Sequence, residues 1–171
     1  KQESATVVTG YRYSKGWADD QRVYFVAEFS RPVTLAQQQG DSIAVFSFKN
    51  TNEPILVKVG LSPVSVENAK SNLHEELPGW DFNATVAAAD RAWNEELGKI
   101  TIDTKDEVAR RIFYTSLYHT MVAPSVFNDV NGEYWGPDKQ KHKGDFTNYT
   151  TFSLWDTYRA AMPLMTLIHP E

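Results

Sequence analysis

In the stretch "FSLWDTYRAAMPL", Trp155 and Asp156 stand side by side, and Arg159 follows three residues after the acid. A carboxylate and a guanidinium can both hydrogen-bond neighbouring hydroxyls of a sugar, while an indole stacks on its apolar face. On a helix, residues 155 and 159 share a face and residues 156 and 159 are neighbours. The competing reading is structural: an acid in a first helical turn is favoured by the helix dipole, with Trp155 turned into the core. The residues alone leave both open.

Other chemistries find less support. "FNDVNGEYWGPD" carries Asp129, Glu133 and Asp138 with two asparagines, a set that suggests calcium. It fails the EF-hand ladder, because the first loop position would be Phe127 and no Glu closes the loop. Val130-Asn131-Gly132-Glu133 is instead a hairpin signal, since Asn-Gly tolerates the positive φ angles of a type I′ turn. His74, His119, His142 and His169 have no partners at ligand spacing, so the expectation is no metal site in this chain. There is no Gly-rich phosphate loop and no G-x-S-x-G elbow. "GYRYSKGWADDQRVYF" mixes Tyr11, Tyr13 and Tyr24 with Trp17, Arg12 and Arg22. It reads as the lining of a cleft or as a sheet face laid against another domain, the second being preferred.

The elements that must position these groups change character along the chain. "TVVTGYRYS", "RVYFVAEFS", "SIAVFSF" and "PILVKVGLS" are β-branched and aromatic runs, and Val23, Phe25, Ala27 and Phe29 alternate with Tyr24, Val26 and Glu28. Gly40-Asp41 and the stretch from Asn50 to Pro54 separate them as turns. After Pro63 the pattern becomes helical. Ser65 is placed to cap a first helix, and Asp81 a second that Gly98 closes. In a third, Thr104 precedes two acids, and Val108, Ile112, Leu117 and Met121 form a stripe. "KITID" is a short strand or an extended connector. A final helix is expected from about Thr151, kinked or ended by Pro163.

Composition narrows the class. The 171 residues are 42% hydrophobic and 13% aromatic, which suits a folded domain or parts of two. Seventeen basic against 22 acidic residues leave a formal charge of -5, unlike the basic patch that a nucleic-acid binder needs. The absence of cysteine excludes disulfides and thiolate metal sites. No apolar run is long enough to span a membrane.

Taken in order, "GYRYSKGWADDQRVYFVAEFSRP", "KVGLSPVSVENAKSNLHEELPGWDF", "RAWNEELGKI", "FYTSLYHTMVAPSVFNDVNGEY" and "FSLWDTYRAAMPL" resemble glycoside hydrolase family 92, the exo-acting α-mannosidases. The resemblance implies a mixed β and α fold. Residues 1–62 would be the last strands of an N-terminal β-sandwich, 63–103 linker helices, and 104–171 the start of a catalytic (α/α)6 barrel. This chain would then be an internal fragment, inactive by itself.

The implied chemistry is hydrolysis of terminal α-mannosyl linkages, often α-1,2, with inversion. Such a reaction needs an acid and a base ~6.5–9.5 Å apart with water between them. The resemblance also implies a Ca2+ ion on the sugar's 2- and 3-hydroxyls. It puts the catalytic acid, the base and the calcium ligands beyond Glu171. The family's Trp-Asp-Thr-(Tyr or Phe)-Arg block falls on Trp155 to Arg159, making Asp156 the expected substrate-binding residue, with Trp155 and Arg159 beside it. Expected partners are a mannose-containing glycan and the rest of the same polypeptide, with no nucleic acid and no membrane span. An exported bacterial protein, periplasmic or at the cell surface, is the implied setting. A free-standing carbohydrate-binding or structural domain is the rival reading.

Overall fold

The computed structural model describes residues 1–49, 52–151 and 153–170. It divides into two compact units, Lys1–Trp80 with Phe127–Asn148, and Asp81–Val126 with the chain from Tyr149 onward. The first unit begins with β1 (Val7–Ser14) and β2 (Gln21–Phe29), paired antiparallel with Val8 opposite Ala27 and Tyr11 opposite Tyr24. β3 (Val33–Gln39) and β4 (Ile43–Phe48) form a ribbon of their own, joined through Gly40 at φ 57°. β5 (Val57–Ser62) returns to pair with β2, giving the order β1-β2-β5.

Sequence patterning misses β3. Thr34 to Gln39 carries no period-2 apolar signal, and its pairing rests on backbone bonds to β4 with a register shift between Leu35 and Gln37. The turn expected from Asn50 to Pro54 lies partly outside the described residues.

Helix α1 (Val66–Glu76) starts where expected. The Ser65 hydroxyl accepts the Asn68 N–H at 3.0 Å, satisfying one of the donors that a helix start leaves free. The helix covers the sheet face that bears Val26, and Val26, Ala69 and Leu73 form the buried core, flanked by Val7 and Leu77. Gly60 makes the close approach of β5 possible. A Cβ there would overlap the Ala69 carbonyl oxygen and lie 2.7 Å from Leu73 Cβ. The opposite face, with Val23, Val57, Val59 and Leu61, is left exposed.

The second unit holds α2 (Phe82–Leu97) and α3 (Glu107–Thr120). Asp81 caps α2 by accepting the Ala84 N–H at 2.9 Å, and Gly98 ends it in right-handed conformation. The cap of α3 is Asp106 and not the expected Thr104. Asp106 accepts from the N–H groups of Val108 and Ala109, and Thr104 Oγ1 in turn accepts from the Asp106 N–H. Of the predicted stripe, Leu117 is buried, while Val108 and Ile112 are exposed. Trp93 and Tyr118 pack edge to face with centroids 4.6 Å apart. "KITID" forms no strand: Lys99 and Ile100 lie in a turn and a bend, and residues 101–103 have no regular structure.

The chain then re-enters the first unit with the short strands β6 (Glu133–Trp135) and β7 (Lys141–Lys143). The type I′ hairpin expected at Asn131-Gly132 does not form. Gly132 donates to the Asp129 carbonyl at 2.8 Å, with only the glycine at positive φ, and the strand pair is closed by residues 136–140 instead. The cause is the partner of the incoming chain. Phe127 pairs with Asn148, which leaves β6 to find β7.

One helix expected from about Thr151 is two. α4 (Leu154–Thr157) is a single turn, and α5 (Ala161–Ile168) follows a break at Ala160, φ -132° and ψ -45°. Pro163 neither kinks nor ends a helix here. It is the third residue of α5, in the first turn, where its missing N–H would have had no intrahelical partner.

Candidate functional site

Trp155, Asp156 and Thr157 make up α4 with Leu154, and Arg159 lies beyond its end. Because the helix stops at Thr157, Trp155 and Arg159 do not share a helical face. Asp156 sits in the first turn, its N–H donating to the Ser153 carbonyl at 3.2 Å. Among the described residues its carboxylate has no hydrogen-bond or ion-pair partner, so it is a free acceptor. Trp155 is 82% exposed in this chain, its ring outside the core of the second unit. Arg159 turns to its neighbour: Nε donates to Tyr158 Oη at 2.7 Å and the guanidinium lies 5.3 Å from that ring's centroid. Arg159 therefore does not orient Asp156 in this structure.

The arrangement can do simple, specific things. An unpaired carboxylate beside an exposed indole offers hydroxyls an acceptor and a sugar ring a flat face. Thr157 lines a cavity of about 750 Å3 within the second unit, together with Trp93, Met121, Tyr149, Met162 and Met165. At this cavity Glu96 lies 2.8 Å from Lys99 Nζ and 3.1 Å from His169 Nε2. The Lys99 ammonium, more than His169, holds the Glu96 carboxyl below its ordinary range. This cluster is absent from the sequence reading, because residues 96 and 169 meet only through the fold.

A second polar centre that sequence reasoning missed lies in the first unit. Asp129 is 2% exposed, yet its carboxylate is fully provided for. Ser62 Oγ and Asn68 Nδ2 donate to Oδ2, and Asn72 Nδ2 to Oδ1, each at 2.7 Å. Val130 N–H donates back to Asn72 Oδ1 at 2.9 Å, which fixes that amide's orientation. Asn68 also donates to Glu133, whose other oxygen takes Lys141 Nζ at 2.9 Å. Asn68 first, then Lys141, lowers the Glu133 carboxyl's affinity for protons.

These donors are the wrong chemistry for a cation. The Asp129 oxygens are filled by N–H and O–H groups, and among the described residues there is no cluster of three or more His, Asp or Glu that could hold a metal ion. The Asp129–Glu133 network does not fit a Ca2+ site. The four histidines stay apart: His74 pairs with Glu28, His142 with Asp138, His169 with Glu96, and His119 lies beside the Tyr118 ring.

Comparison with known proteins gives these features a setting. The profile of the glycosyl hydrolase family 92 catalytic domain matches residues 68–171. The family GH92 α-mannosidase BT3965 from Bacteroides thetaiotaomicron is 35% identical, with a TM-score of 0.82 over 96% of this chain and 25% of its own. The GH92 glycosyl hydrolase ccman5 superposes with a TM-score of 0.86 at 25% identity, over 99% of this chain and 25% of its own. An uncharacterized secreted glycosidase of Arthroderma benhamiae is 32% identical over 116 residues, 64% of this chain and 14% of that protein. The chain belongs to glycoside hydrolase family 92. It spans about a quarter of the length of the solved relatives. No helix among the described residues is long and apolar enough to cross a membrane.

Proposed function

We propose that this chain is part of an exo-acting α-mannosidase that removes terminal α-mannosyl residues, often α-1,2-linked, from glycans with inversion. The observation that carries the reading is the unpaired Asp156 carboxylate beside an exposed Trp155, in a chain of this family. A solved relative, the same Bacteroides enzyme, is described in complex with mannoimidazole. In this reading the strands of the first unit belong to a β-sandwich, and the second unit's helices open an (α/α)6 barrel.

Asp156 accepts hydrogen bonds from sugar hydroxyls and holds the ring, Trp155 covers its apolar face, and Arg159 stands by as a donor. The general acid and base lie outside these residues, so the piece alone is inactive. Calcium, when bound by other parts of the polypeptide, would supply charge at the 2- and 3-hydroxyls. The protein is exported and works on mannose-containing glycans.

The test is mannose release from α-1,2-mannobiose by the whole polypeptide, with and without EDTA, and its Asp156→Ala variant. A hydrogen bond to a charged group is worth ~1.5–3 kcal/mol, so the variant should lose roughly 10- to 150-fold in kcat/KM. Release of no mannose by the wild type would overturn the activity. An Asp156→Ala enzyme at full activity would remove Asp156 from the site while leaving the activity standing.

A further inference from the structure

The β1–β2 register places Tyr11 opposite Tyr24 and Tyr13 opposite Arg22, so these four side chains share one face of the sheet. The three phenol rings lie close together, with Tyr11 4.8 Å from Tyr13 and Tyr13 6.0 Å from Tyr24, centroid to centroid. The Tyr13 and Tyr24 hydroxyls are hydrogen-bonded at 2.8 Å. The Arg22 guanidinium lies 4.2 Å from the Trp135 ring centroid and 5.2 Å from that of Tyr13. Asp20 grips it from the side, with Arg22 Nε 3.0 Å from Oδ1 and Nη2 2.9 Å from Oδ2. We propose that Tyr11, Tyr13, Tyr24 and Trp135, set around the Arg22–Asp20 pair, form a carbohydrate-binding platform for a neutral glycan.

Two features point to that ligand. First, the cluster is fixed but not hidden. A phenol pair and a two-pronged ion pair hold the rotamers, yet Tyr11 and Tyr13 are 65% and 53% exposed. A preorganised aromatic face of this kind loses little entropy on binding a flat sugar. Second, the polar groups are of the right kind. Arg22 and Asp20 are partly exposed beside the rings, where they can meet hydroxyls. Their charges cancel, which disfavours phosphate or nucleic-acid ligands and suits a neutral one. The exposed valines and leucine along β5 have only aliphatic groups and make no comparable case.

The proposal rests on the mannosidase reading for its probe alone. Affinity electrophoresis of the whole polypeptide through gels containing yeast α-mannan measures binding, and release of 4-nitrophenol from its α-mannoside measures turnover of a small substrate. Tyr11→Ala and Arg22→Lys should each weaken mannan binding about fivefold or more, a difference of ~1 kcal/mol. Neither should alter turnover of the small substrate, and Tyr11→Ala should lower the melting temperature only slightly, by what the Tyr11–Tyr13 ring contact contributes. Wild-type mannan binding by Tyr11→Ala would overturn the platform. A marked fall in its melting temperature would do the same, because the ring would then be packing against protein. A wild type that binds mannan through Tyr11 but hydrolyses nothing would sink the mannosidase reading and keep the platform. One that neither binds nor hydrolyses would sink both.

Discussion

Replacing Asp129 with alanine should loosen the Asp129–Glu133 turn far more than a typical substitution does. Three donors end on this buried carboxylate, from Ser62, Asn68 and Asn72, each at 2.7 Å. Hydrogen bonds to a charged group contribute ~1.5–3 kcal/mol each, and a buried donor left without a partner costs ~1–3 kcal/mol. The simple sum overshoots, because Ser62 Oγ still serves the Val64 and Ser65 N–H groups and water can enter the gap. About 4 kcal/mol is a reasonable expectation for the local opening. At 1.4 kcal/mol per decade that is an acceleration of roughly 10³ in hydrogen exchange.

The amides to watch are Val130, bonded to Asn72 Oδ1, and Gly132, bonded to the Asp129 carbonyl. Native-state exchange of the whole polypeptide, wild type against Asp129→Ala, gives the number directly. Asp129→Asn should fall between the two, since its new NH2 must face one of the existing donors. Less than a tenfold change in Asp129→Ala would refute the account of the network as a clamp.

Other consequences are simpler. Gly60→Ala puts a methyl into the Ala69 carbonyl and Leu73 and should cost ~1–3 kcal/mol, seen as a lower melting temperature; an unchanged one would mean that α1 can ride outward freely. Glu133 is held below the ordinary carboxylate value of 4.5, chiefly by Asn68 and then Lys141. Its contribution is therefore complete above that value and is lost as pH falls through the lowered one. Corrected exchange rates in the 129–133 turn should climb as pH falls from about 6 to about 3, and Glu133→Gln should flatten part of that rise. Identical slopes in both proteins would dismiss the effect.

Much of the fold is legible in the residues, for identifiable reasons. The caps Ser65 and Asp81 act as expected because capping is decided within three residues, and β1, β2, β4 and β5 declare themselves by β-branched and aromatic content. β3 is silent because Gln37, Gln38 and Gln39 have no apolar alternation, so only its pairing with β4 makes it a strand. The Asn131-Gly132 signal is genuine for a turn, but tertiary bonding at Phe127 and Asn148 decides which strands it joins. The Trp155–Asp156 pair stands out by chemistry, and the break after Thr157 does not. The clamp on Asp129 could not be read at all. Its donors are ordinary serine and asparagines far upstream, and no local pattern marks them as its partners.

That distance has a consequence for the order in which the molecule is made. Asn72 waits for a partner 57 residues downstream, and Ser62 for one 67 residues downstream. At ~5–20 residues per second, a ribosome needs roughly 3–13 s to bridge those intervals. For that time α1 can settle on its strands through Val26 and Leu73 while its two asparagines remain open to water. The second unit's first helices, α2 and α3, emerge in the interval. The first unit is thus completed only after part of the second has left the tunnel, and substitutions that slow the 127–148 excursion should be felt first as lower yield during synthesis.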